Sequence, residues 1–401
     1  MGEWKTYRLG EICDVRDGTH DSPKQSLTGK PLVTSKNIKG GIINLSSTYL
    51  ISNEDYQSIN KRSCVHQWDI LFSMIGTVGE LAIVKNEPQF AIKNIGLFKM
   101  NGDQLLSYWI YYYLHSYNAQ EDILKNIKGS TQQYIALKDL RLLPIALPPI
   151  EIRQRIVEIL KSFDDKIELN RRINANLETQ AQALFRSWFV DFEPFRDGPF
   201  VDSEFGKIPQ GWKVGNYTDI VEIKGGGTPK TGIQEYWNGT IPFFSPKDVG
   251  ASCFVLDTEK HITAKGLENC NSSLFQTNTV FITARGTVGK VVMTGTEMAM
   301  NQTNYALLGK QNISQYYVYH ITLQLVARLL KKANGAVFNA ITTRDFTSEQ
   351  IIIPPFSTIR QFSDVVKPTV ENILLNDVQS NRLSALRDTL LPKLMAGEIK
   401  I

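Results

Sequence analysis

The chain has 401 residues, 42% of them apolar, and its 44 Lys+Arg against 40 Asp+Glu leave a formal net charge of only +4. That length exceeds one ordinary core and predicts two to four structural units, while so small a charge excludes a protein that holds nucleic acid by overall basicity, so any basic surface must be local. Four scattered cysteines (Cys13, Cys64, Cys253, Cys270) with no Cys-x-x-Cys pair argue against a zinc site or disulfide framework, and no segment approaches the ~18 apolar residues of a membrane span; a soluble cytoplasmic protein without a membrane partner is expected.

Residues 1 to 147 read as a compact mixed α/β or mostly β domain of short strands, Gly, Asn, Thr and aromatics. Ile70-Leu71-Phe72 leads into Gly76-Thr77-Val78-Gly79, the pattern of strand, glycine turn, strand, and Leu105 to Lys125 is the clear helical patch. Pro148 and Pro149 mark the start of a first long helix within 148–195. There Ile156, Ile159, Phe163, Ile173, Leu177 and Leu184 fall at spacings of three and four or their sums, a heptad seam. Trp188 to Phe195 closes this helix, and Arg196 to Gln210 is a Gly/Pro-punctuated linker opening the segment 196–353, whose second domain begins near Trp212 and carries the helical patch Ser314 to Lys332. A second long helix within 354–401 runs through Val366, Ile373, Leu383, Leu390 and Leu394 to Gly397, with Pro368 expected to kink it or delay its first turn. Each helix, at roughly 40 residues and 1.5 Å per residue, spans about 60 Å and reads as a spacer.

The chain contains itself twice, at a spacing of about 210 residues. Gly76 to Gly79 returns as Gly286-Thr287-Val288-Gly289, Trp4-Lys5 as Trp212-Lys213, Gly18-Thr19 as Gly227-Thr228, and Pro31 to Lys36 as Pro242 to Lys247. Leu147-Pro148-Pro149 returns as Ile353-Pro354-Pro355, with Ile152-Arg153-Gln154 matching Ile359-Arg360-Gln361. So many matches in one order mean duplication. The expected fold is α+β: two similar globular mixed α/β domains, each followed by a long helix, the helices packing as an antiparallel coiled coil with pseudo-two-fold symmetry. The pairing residues expected are Ile156, Phe163, Asn170, Leu177 and Leu184 with Ile373, Asn376, Leu383 and Leu390. Asn170 and Asn376 occupy equivalent positions, and either they fix the alignment of the seam or each points to solvent.

No active site assembles from these residues. Ile353-Pro354-Pro355-Phe356 resembles an amino-methyltransferase motif but has Ile where a polar group must hold the target amine. Gly225 to Gly232 lacks the Gly-Lys-Ser/Thr ending of a phosphate cradle and reads as a strand-end turn, and Glu398-Ile399-Lys400 reads as a solvated tail. The five histidines (His20, His66, His115, His261, His320) show no metal-ligand spacing. Neither metal nor cofactor is expected.

The run Ser187 to Pro194, then Gly206 to Trp212, together with Gly227-Thr228-Pro229, the Gly-Thr-Val-Gly turns and the two Pro-Pro-x-x-x-x-Arg-Gln helix starts, resembles the specificity subunits of type I restriction-modification systems over essentially the whole chain. The resemblance implies a non-catalytic subunit that reads a bipartite site on double-stranded DNA, one half per domain, with the helices setting the spacer. It also implies partners: two modification subunits that methylate adenine N6 and restriction subunits that translocate and cleave. A glutamate frequent in the family is replaced here by Arg153 and Arg360. Base and phosphate contacts need Arg, Lys, Asn and Gln on exposed loops. Candidates are Thr19, His20, Lys24, Lys36, Asn37, Lys93, Asn94, Lys128, Ser130, Gln132 and Gln133 in the first half, and Lys230, Lys247, Arg285, Thr287, Asn301, Gln302, Lys331, Lys332, Asn334 and Asn339 in the second. The rival readings are a self-sufficient duplicated methyltransferase or nuclease, and a coiled-coil scaffold that binds only protein.

Overall fold

The computed structural model describes residues 4–332 and 340–399. It divides into two compact units, Met1–Asp165 with Leu383–Ile401, and Lys166–Arg382. Each unit combines a globular part with stretches of both long helices, Ile150–Phe189 and Phe356–Met395.

The globular parts share a plan. In the first unit, Lys5–Arg8 pairs antiparallel with Pro144–Leu147, the strand that leads into the first long helix. The second unit repeats this with Lys213–Asn216 against Gln350–Ile353. Inside lies a sheet in the order Asp14–Asp17, Ile95–Lys99, Ile70–Ser73, Leu81–Ile83. Its counterpart runs Val221–Gly225, Asn304–Gly309, Val280–Thr283, Val291–Thr294, with Phe254–Val255 added at the edge. A second, three-stranded sheet in each unit includes a parallel pair: Lys30–Val33 with Ala91–Ile92, and Trp237–Phe244 with Ala299–Met300.

Continuous apolar runs form the central strands because both of their faces are covered. Ile70 and Phe72 enter one core cluster while Leu71 enters another. Val280 and Ile282 likewise lie in a different cluster from Phe281. The core on the helix side is aromatic in the second unit, where Phe185, Phe189 and Phe362 surround Tyr317. Tyr112 and Tyr317 are fully buried core residues, and burial pushes both hydroxyls well above the usual tyrosine range.

Several sequence expectations change. The patch Leu105 to Lys125 is two helices, Gln104–Leu114 and Tyr117–Lys125, because the chain turns extended at Ser116. The segment after Arg196 forms a β-hairpin, Phe200–Ser203 with Gly206–Pro209, and the Arg328 guanidinium lies 5.9 Å over the Phe205 ring. Pro368 does not delay its helix, which starts at Phe356 and continues to Met395. Pro368 and Asp364 are both exposed, so the carbonyl freed by the missing N–H can be hydrated.

The long helices pair antiparallel, since partners on the second fall in number as those on the first rise. In the second unit the Asn170 amide donates to Gln379 Oε1 at 2.9 Å and Ser380 Oγ at 3.2 Å, and Asn174 donates to Asp377 Oδ1 at 2.8 Å. Asn376 donates to Asn174 Oδ1 at 2.9 Å, and its carbonyl accepts from Asn170 at 3.3 Å. In the first unit Arg387 donates to Asp164 Oδ1 at 2.5 Å, and Tyr112 donates to Asp164 Oδ2 at 2.7 Å.

On the first helix the covered row steps by four and three through Ile156, Leu160, Phe163, Ile167, Asn170, Asn174, Leu177, Ala181 and Leu184. Leu160 and Asn174 are the buried residues where Ile159 and Ile173 were expected, and Ile173 is 37% exposed. On the second helix, buried Ile359, Phe362, Val366, Val370 and Ile373 give way to half-buried Asp377, Ser380 and Arg387 before Leu391 and Leu394. Leu383 is half-buried and outside the apolar cores, while half-buried Leu390 packs against the core of the first unit.

Candidate nucleic-acid interface

Candidate residues that lie far apart in sequence collect at one end of the sheet in each unit. In the first, Asp17 pairs with Gly96 and Ile95 with Ser73, so Thr19-His20, Lys93-Asn94 and the Gly76 turn leave the sheet at the same end. Val33 pairs with Ile92, and Lys93 N–H donates to the Val33 carbonyl at 2.9 Å, which brings the short helix Ser35–Asn37 alongside. The loop Lys128–Tyr134, closed by reciprocal backbone hydrogen bonds of 2.8 Å, joins this rim because Gly76 N–H donates to the Gln133 carbonyl at 2.9 Å.

The second unit builds the same rim. Gly225 pairs with Tyr305 and Thr283 with Asn304, so Thr228, Asn301-Gln302 and the Arg285-Gly286-Thr287 turn emerge together. Phe244 pairs with Met300, which adds the short helix Pro246–Asp248. The two glycine turns have one construction. Ser73 and Thr283 hydroxyls donate to the carbonyls of Thr77 and Thr287 and accept from the N–H groups of Glu80 and Lys290 at 2.9 and 3.0 Å. Gly76 and Gly286 sit at φ +81° and +80°, a conformation that side chains disfavour, and each has open space where a Cβ would stand. The exposed tips Thr77 and Thr287 are therefore presented on equivalent rigid turns.

The backbone is shared and the chemistry differs. Lys36 and Lys247 stand exposed at equivalent places, each beside a cap: Asn37 Oδ1 accepts from Thr34 N–H at 2.8 Å, and Asp248 Oδ2 from Ser245 N–H at 2.7 Å. Asn37 is buried by that role and is withdrawn from the DNA-facing set. Asn301 is similarly occupied, its Oδ1 accepting from Thr303 N–H, Thr303 Oγ1 and Asn304 Nδ2 at 2.6–3.0 Å. Gln302 is exposed and accepts from the Thr228 hydroxyl. Arg285 is exposed where the first unit has Ile75, and exposed Lys290 replaces Glu80, whose carboxylate accepts from Gly40 N–H at 2.9 Å.

Several candidate lysines are tethered. Lys93 donates to Ser22 Oγ at 2.5 Å, Lys128 to Asp139 at 2.6 Å, and Lys332 pairs with buried Glu349. The Asp139 hydrogen bond raises the Lys128 pKa, keeping it protonated. Lys230 and Lys331 are exposed, as are Ser130, Gln132 and Gln133. Lys24 is exposed in the loop before Lys30–Val33, and no strand pairing ties it to the rim. Asn334 and Asn339 lie outside the described residues. Sequence reading missed Asp17, Arg62, Thr77 and Lys290. Arg62 lies on the helix Asn53–Ser63, where only the fold shows that its side chain reaches the rim to pair with Asp17.

Gly225 ends its strand, and the next two glycines are pressed against neighbouring backbone: a Cβ on Gly226 would meet the Asn301 carbonyl oxygen at 2.2 Å and one on Gly227 the Asn271 nitrogen at 2.5 Å. Among the described residues no group of three or more His, Cys, Asp or Glu is placed to hold a metal ion, and no helix is long and apolar enough to cross a membrane.

Comparison with known proteins agrees with this duplicated architecture. The chain is 29% identical to the type I restriction enzyme MjaIX specificity subunit of Methanocaldococcus jannaschii, an alignment covering all of this chain and 94% of that one. It is 25% identical to the HindI specificity subunit of Haemophilus influenzae, with both chains covered fully. The crystal structure of a type I restriction-modification S subunit from M. genitalium shares the fold, with a TM-score of 0.56 at 16% identity over 98% of this chain and 96% of that one. The sequence model described as "Type I restriction modification DNA specificity domain" matches twice, at residues 1–179 and 209–383, and the chain belongs to that family of specificity subunits.

Proposed function

We propose that the chain is the non-catalytic reader of a type I restriction-modification complex, each unit contacting one half of a bipartite double-stranded DNA target through its rim. The observation that carries this reading is the convergence of exposed donors at equivalent sheet ends, on one repeated backbone with different side chains. Equivalent scaffolds suit the repeating geometry of a duplex, and different side chains suit two unlike half-sites. The first rim offers Thr19, Lys36, Thr77, Lys93 and the loop Lys128–Tyr134, and the second offers Lys230, Lys247, Arg285, Thr287, Lys290 and Gln302.

The finer assignment gives the long helices two roles: their length sets the separation of the half-sites, and their outer faces dock two modification subunits. Adenine methylation, translocation and cleavage then reside in the partner subunits. Mapping of methylated adenines in cells carrying this chain and its modification partner tests the reading. One bipartite, asymmetric motif that disappears when this chain is deleted is expected, and methylation that persists without it contradicts the assignment.

A further inference from the structure

The first unit's rim carries a construction that the aligned positions of the second lack. Asp17 is 5% exposed at the end of its strand, and its two carboxylate oxygens serve different neighbours. Arg62 Nη2 donates to Oδ1, and His20 Nε2 donates to Oδ2 at 2.9 Å. The other ring nitrogen, Nδ1, lies 2.8 Å from Asn94 Oδ1, so both ring nitrogens face side-chain oxygens and the ring stands between Asp17 and Asn94. Arg62 is the reverse case. Its side chain is 66% exposed, and one terminal nitrogen bonds Asp17 while the guanidinium still offers a fork of donors outward. At the aligned positions the second unit has Gly226 and Pro229, with neither carboxylate nor imidazole.

We infer that Arg62 reads a guanine in the half-site contacted by the first unit, and that Asp17 is the residue that positions it; this rests on the DNA-reading function proposed above. Two physical points favour a base edge over a phosphate. A neighbouring carboxylate cancels much of the charge that would attract a phosphate, yet leaves the directional N–H groups intact. It also fixes the orientation of the fork, which matters for bidentate bonding to guanine O6 and N7 and little for a charge contact. His20 and Asn94 brace the far side of the same carboxylate, so the fork is set before DNA arrives.

The test uses the complete methylating complex and a duplex library in which every base pair of both half-sites is varied singly. Wild-type complex with no sequence preference would overturn the DNA-reading function itself; a wild-type preference isolates the assignment of Arg62. Arg62→Ala is expected to lower methylation of the cognate site about ten- to a hundredfold and to flatten the preference at one G·C pair of one half-site. Arg62→Lys should not restore that preference. Asp17→Asn should weaken discrimination at the same pair, and Asp17→Glu should recover part of it. Unchanged discrimination in the other half-site serves as the folding control. A uniform loss across all sequences that Arg62→Lys restores, with a shallower salt dependence, would identify a phosphate contact and overturn the proposal. So would a panel in which no single base pair responds to Arg62.

Discussion

Lengthening the helix pair tests whether it measures the DNA. The insertion must enter both helices at facing positions, and the hydrogen-bonded register sets which those are. Asn170 meets Ser380 and Asn174 meets Asp377, so Leu177 lies opposite Leu374, and both are half-buried against the second unit's core. Seven residues added after Leu177 and seven added before Leu374 keep the heptad seam and leave the Asn170 and Asn174 contacts unchanged. Each helix lengthens by about 10.5 Å at 1.5 Å per residue. Three base pairs rise about 10 Å at 3.4 Å per step, so the half-site gap should widen by about three base pairs while both half-sites keep their sequences. The same insertion turns the far half-site by roughly 100° about the duplex, and absorbing part of that by twisting or bending costs on the order of a few kcal/mol. Weaker methylation, or a gap widened by one or two base pairs, is within the expectation. Methylated-adenine mapping at single-base resolution reads the outcome, and near-normal modification at the original gap would refute the spacer role.

Three further outcomes follow from the packing. Asn170 and Asn174 should respond unequally to leucine. The buried Asn170 Oδ1 has no partner among the described residues, and the acceptors of its amide keep other partners, Gln379 being exposed to water and the Asn376 carbonyl still accepting from Ser380 Oγ, so Asn170→Leu should cost less than about 1 kcal/mol, whereas Asn174→Leu strands Asn376 Nδ2 and Asp377 Oδ1 and should cost about 1–3 kcal/mol in urea unfolding; equal losses at both positions would count against this polar layer. His320 is buried against the Phe185 ring with its Nε2 unpartnered among the described residues, and burial lowers its pKa to about 4. Between pH 6.5 and 4 the unfolded chain takes a proton that the folded chain refuses, so this stability is full above pH 6.5 and lost as pH falls, by about 3 kcal/mol in all; His320→Phe should flatten the acid limb of a stability-against-pH curve. Gly286→Ala meets no clash but forces alanine to φ +80°, and a loss of about 1 kcal/mol in urea unfolding is expected, with weaker recognition confined to the second unit's half-site.

The duplication was legible because turns and strand runs are local patterns, and the repeated Gly-Thr-Val-Gly carries its conformational reason in its glycines. The first helix's seam was legible at every seventh position from Ile156 to Leu184, but two of its intermediate positions were misread. Asn174 is buried while Ile173 is exposed, because the middle of the pair is joined by amides and ion pairs. Hydrophobicity cannot mark a seam made of Asn170, Asn174, Asp377, Ser380 and the Asp164–Arg387 pair. The same cause drew Leu383 into the predicted seam of the second helix ahead of Ser380. The interface was legible as residue types on loops, whereas their convergence depends on strand register. Asn37 and Asn301 have the composition of readers, yet one serves as a helix cap and the other closes a local turn, while Arg62 lies in a helix with no loop signal and reaches the rim only through its long side chain. Burial and partner choice at such positions are tertiary facts that one sequence does not display.

The most direct measurement of the central claim compares two sets of rim variants in the assembled methylating complex on a duplex library randomised in both half-sites. One set replaces Lys36, Thr77 and Lys93 with alanine, and the other replaces Lys247, Arg285 and Thr287. If each unit reads through its own rim, the first set changes the preferred sequence or affinity at one half-site only and the second set at the other only. Variants of either set that alter both half-sites together, or leave both untouched, would contradict the account.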